Sequence, residues 1–458
     1  MKNKVLISIF IFLLSIFLLT INVMAEEFRF EEKWKGTDIN LYNYENTSDD
    51  GYIVVGNKLQ KNLSEGEILF DAIILKIDSN GNEEWRKTFG GSDFEYFCDV
   101  VEDKDNNFIA IGITHSTDIE GFENDGQEKG IIVKYNKNGE LLWKNIYSKE
   151  DDNYFSDIEI SKNNEVYVVG NTREDNNMGG ILLKYNQNDG VLNSEKKYNT
   201  PNEDEEFDKI RILDDESCII IGRVGTSTEH KGFVVKYDKE FKLKWSRAVS
   251  FGWLTNFEDI LVTNKGEGII IGCCFESKIN PHYNYKILIY KFDINTGEYI
   301  EGNKLDQIGT LYNFVEIEDG YIAIGEIPQL FTDEQLEYGV TLFKFDKNWN
   351  IKWKKTNDNI RTNLKKAFNG KITIDIMDSE SYNYGIFEIS EKCLILGDVN
   401  EDGKITLADY TKILAHVKKT QLLTGDALKA ADVNEDGKVT LADYTKVLAH
   451  VKKTQLLK

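Results

Sequence analysis

One short pattern recurs through most of the chain: an apolar strand that ends in glycine. It appears as Tyr52-Ile-Val-Val-Gly56, Phe108-Ile-Ala-Ile-Gly112, Val166-Tyr-Val-Val-Gly170, Cys218-Ile-Ile-Ile-Gly222, Gly268-Ile-Ile-Ile-Gly272 and Tyr321-Ile-Ala-Ile-Gly325. Successive glycines stand 56, 58, 52, 50 and 53 residues apart. A fixed period of this length is the mark of stacked supersecondary units. A second strand follows each glycine and carries Lys76, Lys134, Lys184, Lys236, Lys291 or Lys344. Nine residues after four of these lysines comes a tryptophan: Trp85, Trp143, Trp245 and Trp353. Turn residues such as Ser79-Asn80-Gly81-Asn82 lie between, as hairpins require. An earlier strand carries Phe97, Phe155, Phe207 or Phe257, 15 residues before its glycine.

Each unit is therefore four antiparallel strands, and a single such sheet cannot bury both its faces. Radial stacking solves this and predicts an all-β propeller over residues 27–392. Ile372–Ile376 and Gly385–Ile389 read as second and third strands of a seventh copy that lacks its fourth. A matching strand, with Trp34, stands unpaired near the N-terminus. If that strand completes the last blade, seven blades close with no free edge; six blades is the alternative.

The tight turns then share one face, and the long second-to-third loops and blade links share the other. Residues 113–130, 273–286 and 326–339 are such loops. The aromatics Phe122, Trp253, Tyr283 and Tyr285 fall on that face, where flat rings suit either the apolar faces of sugars or loop packing. His115, His230 and His282 lie there without ligand spacing. Asp99, Asp157 and Asp259 recur two residues after the strand-one phenylalanine. They read as structural fasteners, with a carboxylate site in a central channel as the alternative. Cys98 and Cys218 read as core residues, and Cys273-Cys274 as the start of a loop. No nucleophile elbow, zinc-protease or phosphate-loop motif occurs.

Residues 1–25 have a lysine start, an apolar run and a small-residue end at Ala25, the pattern of a cleaved signal peptide. No later segment is long and apolar enough to span a bilayer. Lys+Arg total 55 against Asp+Glu 78, a net of −23, which disfavours nucleic acid as a partner. Five cysteines in 458 residues make no disulfide framework.

The C-terminal region has a different repeat. Residues 398–424 and 432–458 differ at only three of 27 positions. Each copy opens with a calcium-loop spacing. In the first, Asp398, Asn400, Asp402, Lys404, Thr406 and Asp409 take positions 1, 3, 5, 7, 9 and 12, with Gly403 at the turn. In the second the set is Asp432, Asn434, Asp436, Lys438, Thr440 and Asp443, with Gly437. Calcium is a hard ion that wants many oxygens, and this spacing wraps them around one centre. A helix follows each loop, Leu407–Lys419 and Leu441–Lys453, with Leu407, Ile413, Leu414 and Val417 assigned to the apolar face of the first.

Two loop-plus-helix halves without entering helices, with Asp at position 12, resemble a type I dockerin over residues 397–458. That resemblance implies two calcium ions and a cohesin domain of a scaffolding protein as partner. It implies contacts from Leu407, Ala408, Lys412 and His416 or from Leu441, Ala442, Lys446 and His450. The near-identity of the halves implies two docking orientations. Positions 10 and 11 are Leu-Ala rather than the Ser-Thr pair of one specificity group, which leaves the cohesin unnamed. The 27–392 region loosely resembles the propeller-like repeats of secreted and surface bacterial proteins. Together these imply a secreted, cellulosome-type component in polysaccharide degradation. Its propeller is then a glycan- or protein-binding module or, alternatively, a glycoside hydrolase or polysaccharide lyase.

Overall fold

The computed structural model describes residues 28–458 except 61–68, 122–125, 150–151, 175–176, 200–202, 227, 279–284, 332–335, 357–359, 367–369, 378–382, 392–395, 401–403, 435 and 454–458. The expected signal peptide, residues 1–25, lies outside the described residues. Two compact units emerge, one spanning Phe30–Ile389 and the other including Ser390–Lys458.

The first unit is a seven-bladed propeller, each blade a four-stranded sheet. Blades one to six run in sequence over residues 40–89, 95–147, 153–198, 204–249, 254–308 and 310–356. The seventh joins strands Ile360–Lys366, Ile372–Met377 and Tyr384–Glu391 to the N-terminal strand β1 (Phe28–Gly36), which takes the outermost place. The ring thus closes through the N-terminus, and Trp34 is buried in the core between blades seven and one.

The recurring glycine has a local cause. In blades one to six the innermost strand bulges at one place, for example between Phe97 and Asp99. The bulge brings a carbonyl against the second strand. A Cβ on Gly112 would lie 1.9 Å from the Tyr96 oxygen, so no side chain fits.

The bulge also aims Asp99, Asp157 and Asp259 at the next blade. They accept hydrogen bonds from the main-chain N–H of Ile158 (3.3 Å), Ile210 (2.8 Å) and Phe314 (3.3 Å) respectively. The repeated aspartate fastens blade to blade. In blades one, two and six the repeated lysine is a buried tie to the first turn of its blade, Lys76 to Asp49, Lys134 to Asp103 and Lys344 to Asp319; Lys134 Nζ lies 2.7 Å from Asp103 and 2.9 Å from the Gln187 carbonyl.

Why only four of six lysines are followed by tryptophan is also structural. Trp85, Trp143 and Trp245 each lie over a turn glycine of the next blade. A Cβ there would come within 2.7, 2.4 and 2.6 Å of the ring at Gly139, Gly190 and Gly297. Ser194 and Glu301 stand in the tryptophan position of blades three and five. The following turns carry Phe241 (φ +61°) and Trp349 (φ +63°) in place of glycine. The aromatic is supplied from the other side of the interface, at the cost of a left-handed backbone conformation.

Some loop assignments are corrected. Cys273 and Cys274 are buried within the strand Glu267–Phe275, and Tyr285 begins the strand Tyr285–Asp293. Most of 326–339 is hairpin, in Gly320–Phe331 and Leu336–Asp346. β-branched and aromatic content extends these strands past the glycine.

In the C-terminal unit, α1 (Leu407–Val417) and α3 (Leu441–Val451) are the helices after each loop. A third, α2 (Gly425–Ala431), ends directly at Asp432, so the second loop does have a short entering helix. Ile413, Val447, Val399, Val433, Ala430 and Ala431 form its small core. Leu407 is 61% exposed and Leu441 60%, which moves Leu407 from the apolar face to the surface.

Candidate functional site

The two calcium-loop halves are built alike. Thr406 and Thr440 cap their helices in reciprocal capping boxes with Asp409 and Asp443. These position-12 carboxylates are buried and reach back to position 3. Asp409 accepts from the Asn400 N–H at 3.0 Å, and Asp443 from the Asn434 N–H at 3.2 Å. Each loop is thereby drawn closed around its donors.

In the second loop, Asp432 accepts from the N–H groups of Asp436 (3.1 Å) and Gly437 (2.7 Å). Gly437 turns the chain at φ +82°. In the first loop Asp402 and Gly403 lie outside the described residues, while Asp398 is buried and Lys404 exposed. Among the described residues no three carboxylate, imidazole or thiol groups gather as a metal cluster. The donor set fits calcium on other grounds. It mixes carboxylates with amide, hydroxyl and main-chain oxygens on a loop closed by position 12, as a hard cation requires. Calcium, when bound, supplies the positive charge that these oxygens surround.

The proposed contact residues Ala408, Lys412 and His416 repeat every four residues, on one stripe of α1, and Ala442, Lys446 and His450 do so on α3. Ala408, Lys412, Ala442 and Lys446 are exposed, and the histidines half-buried. His416 Nδ1 accepts the Leu423 N–H at 2.9 Å. Tyr410 and Tyr444, 34 residues apart, stack at 4.5 Å with their hydroxyls in contact. Equivalent residues meet each other there, as pseudo-twofold symmetry demands.

On the propeller, Trp253 lines a groove of about 530 Å³ on blade four. Tyr198, Phe233 and His230 share it, with hydroxyls from Thr226, Thr228, Ser246 and Ser250 and the carboxylates of Glu203 and Glu229. The Lys278 ammonium stands 5.4 Å over the Trp253 ring. Tyr285 is not in this groove: it is buried and stacked on Phe275 at 5.3 Å. Phe122, Tyr283 and His282 lie outside the described residues. His115 sits 3.6 Å from Glu128, and His230 Nε2 lies 2.5 Å from Asn256 Oδ1, so the two imidazoles serve separate partners.

Sequence reasoning left one set of residues unassigned. On the innermost strands of neighbouring blades, Asp208 and Glu258 occupy the bulge. Burial pushes Asp208 up to about 6. Burial, then the nearby Asp208 charge, pushes Glu258 up to about 7. Glu159 is also raised to about 7 by burial, against the pull of Arg211. Asp157 goes the other way: Lys209 and Arg211 outweigh its burial and hold it low. Only the bulge at a fixed offset from phenylalanine could have pointed to Asp208 and Glu258.

Residues 396–452 match the family model for the dockerin type I domain. The C-terminal region is therefore a type I dockerin domain, and type I dockerins are calcium-binding modules that dock onto cohesins. No curated protein matches the chain. Among solved structures, BamB from Moraxella catarrhalis is similar at 12% identity, covering 77% of this chain and 99% of its own, with TM-score 0.43. The Neurospora crassa Pan2 WD40 domain is similar at 9% identity, covering 80% and 96%, with TM-score 0.45. Sqt1 from Chaetomium thermophilum is similar at 6% identity, covering 80% and 100%, with TM-score 0.44.

Proposed function

We propose that this chain is a secreted component of a cohesin-organised complex, held by its dockerin and carrying the propeller as a glycan-binding module. The type I dockerin match makes a cohesin the partner and a cellulosome-type complex the setting. The signal-peptide pattern of residues 1–25 supports export. No helix among the described residues is long and apolar enough to cross a membrane.

The observation that carries the docking is the pair of matched halves. Each offers an exposed leucine, Leu407 or Leu441, beside an Ala-Lys-His stripe, and each has one calcium loop, hence two ions. Titrating the whole chain into cohesin domains, with calcium and with chelator, tests it. Binding that survives chelator, or no binding to any cohesin, rejects the reading.

The glycan role rests on the aromatic, hydroxyl-rich groove at Trp253. A second reading, glycoside hydrolysis, is favoured by Asp208 and Glu258, carboxyls on neighbouring blades: Glu258, raised to about 7, serves as the protonated acid, and Asp208, lower at about 6, as its ionised partner. A polysaccharide screen scored for binding and for product release separates the two. Release that disappears in Glu258→Gln favours the enzyme; binding without release favours the module.

A further inference from the structure

Lys278 reaches two residues that line the blade-four groove, Trp253 and Glu229. Its ammonium lies over the Trp253 ring and 3.4 Å from Glu229 Oε2. The Lys278 and Glu229 side chains are 60% and 68% exposed, so core packing does not force them together. A cation over a π face and beside a carboxylate is how proteins select ammonium groups. The protein's own side chain marks what the place accepts.

The same groove is lined by Thr226, Thr228, Ser246 and Ser250, whose hydroxyls both donate and accept; Thr226 and Ser250 also bond the main chain, at the Glu229 and Gly252 carbonyls.

We infer that this groove takes an amino sugar with a free, protonated amine, as in a deacetylated hexosamine chain. The amine replaces the Lys278 ammonium between Trp253 and Glu229, and the ring lies along the aromatic wall. This rests on the glycan-binding reading above and narrows it. The chain's charge of −23 points the same way, since it attracts a polycationic glycan and repels an anionic one. A lysyl side chain of a peptide carries the same ammonium, but its alkyl stem has no ring to lie along the aromatic wall.

The test is titration calorimetry of the whole chain, at physiological salt, against tetramers of glucosamine and N-acetylglucosamine, cellotetraose and tetralysine. The glucosamine tetramer is expected to bind about tenfold tighter than the neutral sugars. Trp253→Ala should weaken all the sugars by about tenfold, as loss of a central aromatic anchor does. Glu229→Gln should cost the glucosamine tetramer alone about two- to fivefold, the worth of an exposed ion pair. Lys278→Ala should tighten it, because the internal competitor is gone.

Equal affinity for free and acetylated sugars overturns the inference and leaves the glycan reading standing. So does glucosamine binding that Trp253→Ala leaves unchanged, which marks bulk charge attraction. Tighter binding of tetralysine makes the ligand a peptide and overturns the sugar. Failure of every sugar to bind overturns the glycan reading itself.

Discussion

The propeller and the dockerin solve the same problem with opposite means. The propeller is stabilised by repetition. Each blade buries its faces against two neighbours, in clusters such as Ile109, Ile132, Val168 and Leu183, and the seventh blade takes its fourth strand from the N-terminal β1. The dockerin has a small core around Ile413 and Val447, beside loops crowded with carboxylates. A module of that size gains too little from apolar burial, so an ion bound only by the folded state makes up the difference. One region carries its stability in its shape and the other in a ligand.

The strongest way to break that contrast is to open the ring. Deleting residues 28–36 removes β1 and the buried Trp34 and leaves the strand Tyr384–Glu391 as an exposed edge. The deletion should lower propeller stability and solubility far more than deleting residues 397–458. Loss of a buried tryptophan alone costs about 3–5 kcal/mol. A deletion protein that melts like the parent would contradict closure through the N-terminus.

The next effect probes the swapped aromatics. Trp349 stacks on Tyr321 at 4.2 Å and fills the interface that Glu301 leaves open. Trp349→Gly should destabilise the propeller by about 2–4 kcal/mol, the cavity outweighing the relief of a left-handed backbone. Adding Glu301→Trp restores the arrangement of the other interfaces and should recover part of the loss. A double variant no better than the single one in thermal melts would rule out the exchange.

Acidity should move the two regions in opposite directions. Glu159 and Glu258 at about 7, and Asp208 at about 6, hold protons in the folded propeller that the unfolded chain, near 4, has already lost. Where the folded state binds more protons, stability falls as pH rises. The propeller should therefore gain on the order of several kcal/mol between pH 8 and pH 5. Below about pH 4 that gain is complete, and carboxylates held low, such as Asp38 at about 2 beside Lys58 and Arg86, begin to lose their ion pairs. Calcium loops need ionised carboxylates, so the same acidification should weaken the dockerin's hold on its ion. Melts at pH 5 and pH 8 with fixed calcium check this; parallel shifts of the two regions would contradict it.

The smallest effect is on the dockerin surface. Ala408→Asp alone should cost about a factor of two in cohesin affinity, since α3 offers the same stripe, about 0.4 kcal/mol as RT ln 2. Adding Ala442→Asp should reduce binding by orders of magnitude, because a charge then meets either interface. Calorimetry showing that one single change abolishes binding would exclude two orientations.

The legible parts of this molecule were those written as repeats. Gly112 and its equivalents announced the blades because one steric demand, the bulge carbonyl, recurs in each. Trp34 announced the closing strand because it kept the blade's own pattern. Phe241 and Trp349 escaped notice because they compensate residues about 50 positions earlier, and only the folded interface pairs them. Tyr285 and Cys273 fall in strands because the glycine does not mark a strand's end: the second strands of blades one to six run on past it, to Leu59, Thr114, Glu174, Thr226, Phe275 and Phe331. α2 was missed because its seven residues are too few for a periodic pattern to show. Trp253 was legible as a loop aromatic, but the Lys278 ammonium above it depends on a fold-level approach between residues 25 apart.

A calorimetric scan of the whole chain, with calcium and then with excess chelator, tests the contrast most directly. Two transitions are expected with calcium. With chelator, the dockerin transition should vanish while the propeller's keeps its temperature and enthalpy. A scan unchanged by chelator, or one in which both transitions collapse together, would contradict the division of labour described above.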